Sequence, residues 1–234
     1  MAAKRAMSKK ELLQADAVFS FWEKVQAFAE ENSRQLAAIG LIICVIAAGI
    51  GFWKVRQSTA EKESLGLFYG AMNNMVKSSK SAVDGEIKYS QALEGFKKVS
   101  HKYSGTKAGA ASLFYAGSCS YSLKKYDEAI SYYKEFLDKT GSTLHYLRPF
   151  AYESIGYAYE GKGEYRKALE WFEKQKSEGQ GVNPMSLLNL ARCYEAEGDK
   201  EKACQSYREF IEKYPLSSFN EFAQIKTANL CSKN

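Results

Sequence analysis

Proline and histidine are among the scarcest residues of this 234-residue chain, with three of the first and two of the second. So few prolines, with 17 glycines, leave little material for the tight turns of a strand-rich domain. Alanine, lysine, glutamate and leucine, all good helix formers, are abundant, so an all-α chain is the first expectation. His101 and His145 stand far apart, and no CxxC pair exists among Cys44, Cys119, Cys193, Cys204 and Cys231. A zinc site needs about four clustered ligands, so no metal or other cofactor is expected. The cysteine count is odd and Cys44 lies in an apolar run, which is not the pattern of a disulfide framework. Motifs of the HExxH and GxSxG kind and phosphate-binding glycine loops are also missing. Asp127-Glu128 and Glu160/Glu164 read as solvated pairs on helix surfaces. No enzyme and no small-molecule substrate are expected. The net charge of +6 is scattered, with no dense basic run, and that excludes a nucleic-acid partner.

What is present is one long apolar run. Leu36 to Trp53 carries no charge over 18 residues. As a helix it covers about 27 Å, close to the roughly 30 Å hydrocarbon core of a bilayer. Arg34 stands at one end, Lys54 and Arg56 at the other, and Trp53 sits where an interfacial aromatic belongs. A cleaved export signal is the competing reading, because Ala47-Ala48-Gly49 offers small residues at a plausible cleavage spacing. Against it, 35 residues precede the run, and the run outlasts the 7–15 residues of a signal's apolar region. An uncleaved anchor is the expectation. Its direction is not set by charge: Lys24 and Arg34 flank one side, Lys54, Arg56 and Lys62 the other. Upstream, Val18, Phe21, Trp22, Val25, Phe28 and Ala29 recur at helical spacing, predicting an amphipathic helix over about residues 11–31.

The remainder repeats itself. YSLKKYDEAISYYKEFL (121–137), YEGKGEYRKALEWFEKQ (159–175) and YEAEGDKEKACQSYREF (194–210) share one pattern. Their central alanines, Ala129, Ala168 and Ala203, are 39 and 35 residues apart. A degenerate copy, IKYSQALEGFKKV (87–99), centres on Ala92. Period and pattern resemble the tetratricopeptide repeat, a helical hairpin. Tyr152, Ile155, Gly156, Tyr159, Ala168 and Phe172 take its consensus positions, as do Leu187, Leu190, Ala191, Tyr194, Ala203, Tyr207 and Pro215. Leu113, Gly117, Ala129 and Tyr133 do so in the first copy. Small residues at Gly117, Gly156, Ala168 and Ala203 let helices approach closely, and Gly163 and Gly198 supply turns. Leu67, Phe68, Ala71, Met72, Met75 and Val76 mark a further helix, with nothing to stop the anchor helix running into it.

The expected organisation is a tail with an amphipathic helix (1–35), a transmembrane helix (36–53), anchor-proximal helices with a degenerate repeat (54–109), three repeats (110–217) and a capping helix (218–234). The fold class is thus all-α, an N-terminal transmembrane helix followed by a tetratricopeptide-repeat α-solenoid. Ser218-Phe219-Asn220-Glu221 reads as the capping box of the last helix, with Phe222 and Ile225 as its inward face. Cys119 and Cys193 fall at a small, buried position. Cys204 lies opposite Cys193, where a disulfide and plain packing are both open and packing is the default, since facing helices often hold Cα atoms beyond about 7 Å.

Such arrays bind polypeptide on the concave face lined by the first helix of each hairpin. The resemblance implies the lining positions Phe114, Ser118 and Tyr121; Glu153, Tyr157 and Glu160; Leu188, Arg192 and Glu195. Packing of Phe114 and Leu188 against neighbouring helices or the cap is the alternative. VQAFAEENSRQLAAIGLIICVIAAGIGFWKVRQSTAEKESLGLFYGAM (25–72) extends the likeness. It has an aromatic-acidic helix with Asn before the anchor, a Gly/Ala-rich span ending in Trp and basic residues, then a small-residue helix. That order resembles the YfgM family of bacterial inner-membrane proteins, ancillary to the SecYEG translocon. The resemblance implies a cytoplasmic tail, periplasmic repeats, and partners among the SecYEG translocon, exported chains and periplasmic chaperones. A scaffold for outer-membrane or envelope assembly and a cytosol-facing receptor or regulator are the alternatives.

Overall fold

The computed structural model describes residues 9–79, 85–178 and 184–231, and the side chains among residues 9–19, including Val18, lie outside that description with residues 1–8 and 232–234. Among the described residues every regular element is helical. The chain divides into two compact units, residues 1–57 and 58–234. Helix α1 spans Lys9–Glu31 and α2 spans Ser33–Ser79, the second crossing the boundary between units. Asn32 separates them without breaking the ladder, since its backbone N–H donates to Phe28 O and its carbonyl accepts from Leu36 N.

In the first unit, Phe21, Trp22, Val25 and Phe28 of α1 are all exposed, and so is every residue from Leu36 to Trp53. An uncovered apolar helix of this length is long and apolar enough to cross a membrane. The sequence left no charge in that stretch to solvate it.

The second unit is a run of helical hairpins. The end of α2 pairs with α3 (Gly85–Lys102), then α4 (Lys107–Ser122) with α5 (Tyr126–Lys139), α6 (Arg148–Gly161) with α7 (Tyr165–Glu178), and α8 (Pro184–Ala196) with α9 (Lys200–Lys213); α10 (Asn220–Cys231) closes the run. Small residues sit where helices meet. A Cβ on Gly117 would strike the Tyr133 ring, one on Gly156 the Phe172 ring, and one on Gly95 the Ala71 side chain. Ala92, Ala129, Ala168 and Ala203 are all fully buried beside them. A 3₁₀ turn at Ser142–Leu147 takes up the residues that stretch the first repeat interval to 39.

Gly163 and Gly198 have φ of +74° and +81°, the left-handed turn that glycine favours. The equivalent position in the first hairpin, also five residues before the central alanine, is Lys124, with φ of +57°. A side chain there costs about 1–2 kcal/mol. Lys124→Gly is therefore expected to raise stability by about 1 kcal/mol, read as a melting midpoint about 2–4 °C higher. An unchanged or lower midpoint would contradict that account of the turn. Gln175 departs from pattern in another way. It takes the place held by Phe136 and Phe210 in the flanking hairpins, and neither end of its buried amide has a partner among the described residues.

Two expectations fail at the C-terminal end. Helix α10 starts at Asn220, not at a Ser218 cap; Ser217 Oγ instead accepts from Phe219 N at 3.3 Å. Asn220 is buried, and its Nδ2 donates to the carbonyls of Tyr214 (3.1 Å) and Ile211 (3.4 Å) at the end of α9. Satisfying those carbonyls turns Asn220, Ala223 and Leu230 inward. Phe222 and Ile225, expected inside, stay 47% and 56% exposed. The second correction is covalent. Cys204 is joined to Cys231, across α9 and α10 with Cα atoms 5.9 Å apart, and not to Cys193. Cys193 points into the core with Leu190 and Phe172, where burial pushes its thiol up to about 12. Cys119 is buried likewise, its thiol also pushed up to about 12.

A polar face along the first helices

The first helices α4, α6 and α8 expose one face built from equivalent positions. Ser118, Tyr157 and Arg192 each lie 11 residues before a central alanine, and Tyr121, Glu160 and Glu195 each lie eight before. The hairpin turns fix that register, so each side chain meets its neighbour in the next repeat.

Between α6 and α8, Arg192 donates through Nε and Nη2 to the two carboxylate oxygens of Glu160, at 2.5 and 2.7 Å. This fork-on-carboxylate geometry suits guanidinium and is among the stronger polar contacts. It holds the guanidinium still further above its ordinary range. The same junction holds Asn189, which donates to Glu153 (3.1 Å) and accepts from the Tyr157 hydroxyl (3.2 Å). Burial, reinforced by Glu153, pushes the Tyr157 phenol up to about 12. Between α8 and α10 the pairing recurs with a lysine. Lys226 donates to both oxygens of Glu195, at 2.7 and 3.0 Å, and the Tyr207 hydroxyl adds a third donor at 3.1 Å.

The junction between α4 and α6 differs. Here Tyr121 stands in the carboxylate position and Tyr157 in the cation position. A cleft of about 220 Å³ opens there, lined by Ser118, Tyr121, Ser122, Tyr133, Ser154 and Tyr157. The Tyr133 hydroxyl donates to Ser118 Oγ at 3.1 Å. A larger hollow of about 720 Å³ lies away from this face, beside the Cys204–Cys231 bond, with Lys200, Glu201 and Arg208 at its rim.

Of the nine expected lining residues, Ser118, Tyr121, Glu153, Tyr157, Glu160, Arg192 and Glu195 fall on this face. Two do not line it. Leu188 is 5% exposed and packs with Leu187, Tyr207, Phe210 and Ala223, because α10 covers α8. Phe114 is half-buried, its ring against those of Tyr115, Tyr133 and Phe136 at 5.5 Å. Asn189, Lys226, Ser122 and Ser154 belong to the face and were not anticipated. A polar Asn189 between Leu188 and Leu190 was the visible sign of the first. What the face can do is donate hydrogen bonds and offer ring surface; among the described residues no three His, Cys, Asp or Glu side chains gather as a metal would need.

Comparison with known proteins agrees with this architecture. A tetratricopeptide-repeat family model matches residues 111–139 and 185–217, and a second tetratricopeptide-repeat model matches 151–177. The chain superposes on a solved putative kinesin light chain with nearly identical TPR-like repeats from Podosopora anserina. The TM-score is 0.55 at 17% identity, over 69% of this chain and 85% of that one. PilW, a type IV pilus biogenesis factor, superposes with TM-score 0.52 and 17% identity, over 66% of this chain and 67% of that one. A tetratricopeptide repeat protein of Parabacteroides merdae does so with TM-score 0.53 and 18% identity, over 69% and 60%. At such identities these likenesses show the fold. Among curated proteins, human Intraflagellar transport protein 88 homolog is 26% identical over 154 residues, 66% of this chain. That stretch is 18% of the human protein, so the chain spans about a fifth of its length. Within residues 111–217 the chain thus carries tetratricopeptide repeats, a fold that generally serves as a non-catalytic scaffold for protein–protein contacts.

Proposed function

We propose that the chain is a membrane-anchored protein-binding scaffold whose repeat unit works on the oxidising side of a membrane. The observation that carries this reading is a disulfide in the repeat unit of a chain whose other unit presents a bare apolar helix. Disulfides persist in extracytoplasmic compartments and are rare in the cytosol. The two thiols left in the repeat unit, Cys119 and Cys193, are buried with raised pKa values, so little thiolate is available for wrong pairing. Residues 36–53 are the anchor of this reading, with the tail before them in the cytoplasm.

The resemblance to the YfgM family supplies the finer part: the scaffold stands in the bacterial inner membrane beside the SecYEG translocon and receives exported chains with periplasmic chaperones. The polar, half-open face fits that role, because a partner met in an extended state offers unsatisfied main-chain groups. The test is crosslinking in intact membranes followed by identification of the adducts. Translocon subunits among them are the expected outcome, and recovery of outer-membrane assembly factors alone would overturn the export role. In the same cells a cysteine placed at the exposed Ser177 should react with an impermeant maleimide from the periplasmic side. Reaction from the cytosolic side alone would overturn the orientation.

A further inference from the structure

Along the face of the repeat unit, two of the three junctions, α6–α8 and α8–α10, are shut by their own charges. Glu160 is taken by Arg192 and Glu195 by Lys226, each carboxylate held through both oxygens. A ligand carboxylate or ammonium would have to break one of these pairs, and the freed partner would be left half-buried and uncompensated. The α4–α6 junction carries no such pair. Its two key positions hold Tyr121 and Tyr157, and the space a salt bridge would fill is the cleft of about 220 Å³.

We infer that this cleft is the gripping part of the face and that it takes an uncharged, extended polypeptide segment, with an amide carbonyl accepting from the Tyr121 hydroxyl, since Ser118 and Ser122 already donate to the carbonyls of Phe114 and Ser118. The inference rests on the protein-binding reading and narrows it. Every side chain lining the cleft ends in a hydroxyl, and three of the six present a ring beside it. Tyr133 is already committed to Ser118, and Tyr157 is shared between Glu153 and Asn189. Tyr121 is 38% exposed at the rim, and its hydroxyl has no partner among the described residues. It is the free donor of the cleft. Burial raises the phenols of Tyr121, Tyr133 and Tyr157 together, so the lining stays protonated and neutral through the physiological range.

Size and chemistry agree on the class of ligand. The volume falls below the 300–1,000 Å³ usual for a self-contained small-molecule site, and suits a short stretch of a longer polymer. Rings with hydroxyl tips flanking a neutral trough are also the means by which grooves hold extended segments, through ring surface for packing and hydroxyls for main-chain carbonyls. Charged residues, by contrast, would lose hydration in the cleft and find no opposite charge among its lining residues.

The experiment uses the full chain in lipid nanodiscs with the photoreactive residue p-benzoylphenylalanine at Ser122, in the cleft, or at Phe222, on α10. The probes are two decapeptide libraries, one of Ala, Ser, Asn, Gln and Pro, the other matched but with two Asp or two Lys per peptide. The uncharged library should label the Ser122 reporter at least about five-fold more than the charged one. Tyr121→Phe should lower that labelling about 2- to 10-fold, the worth of one net hydrogen bond, with the melting midpoint unchanged. Equal labelling by both libraries, preference for the charged one, or full labelling in Tyr121→Phe would overturn the inference. Labelling at Phe222 alone would sink the cleft and leave the protein-binding reading standing. No labelling at either reporter would sink both.

Discussion

Reducing the Cys204–Cys231 bond is expected to cost the repeat unit about 3.5 kcal/mol, the loop-entropy value for a 27-residue separation. In a unit of this size that is a fall of roughly 7–14 °C in melting midpoint. The loss should be local first. Repeat arrays hold together through nearest-neighbour interfaces, and α10 packs against α8 and α9 at the end of the array. Without the bond, α10 keeps the buried Ala223, the Asn220 caps and the Lys226–Glu195 pair. These hold a 12-residue helix that would be marginal alone. Amide exchange of α10 should therefore rise by orders of magnitude on reduction, while α4 to α7 keep their protection. Comparing the full chain with and without reductant, and with Cys204→Ser/Cys231→Ser, checks this. Identical midpoints in all three would mean the bond contributes nothing to stability.

The bond also joins two parts of the molecule that look unrelated in sequence. Cys231 follows the last recognisable repeat, and only the packing of α10 on α9 brings it to Cys204. An oxidising compartment thus acts on the end of the array that covers Leu187, Leu188 and Phe210. On the proposed orientation, a chain that failed to reach that compartment would carry an unstapled cap. Correct placement and stability become linked through one covalent bond.

How much of this was legible differs from element to element. The hairpins were, because Gly117, Gly156 and the central alanines are contact requirements written one residue at a time. The turns were legible at Gly163 and Gly198 but hidden at Lys124, where a non-glycine adopts the same backbone. Most of the face was legible too, since the alanine register places Tyr157, Glu160 and Arg192 together. Leu188 was left between lining the face and packing, and it packs because the position is open only where no helix covers it, and α10 covers it. Phe222 and Ile225 were misread because two polar groups, Asn220 and Lys226, fix the rotation of α10 against the pull of its aromatics. The Cys204–Cys231 pairing could not be read at all, as it depends on how that helix docks.

The heaviest single loss is expected at Phe172. Its side chain is fully buried, seated on the bare backbone of Gly156, with Tyr157 edge-on at 5.4 Å and Leu190 and Cys193 of α8 behind it. Phe172→Ala should cost about 3–5 kcal/mol. Gly156→Leu drives a side chain into the same ring, which is hemmed in and cannot step back, at about 1–3 kcal/mol or more. The two changes should not add. In the double variant the leucine enters the space the ring has left, and the cost should fall short of the sum by about 1–3 kcal/mol. Strict additivity, measured by denaturant titration of the full chain in detergent, would mean the ring and the glycine are not each other's seat. The position gives the lesion its reach. Ile155 and Ala158 of the same hairpin face Leu113 and Phe136 on one side, while Phe172 faces Leu190 on the other. Emptying that joint breaks the array in its middle, so Phe172→Ala should also split one unfolding transition into two, the C-terminal hairpin and its stapled cap melting separately from α4 and α5.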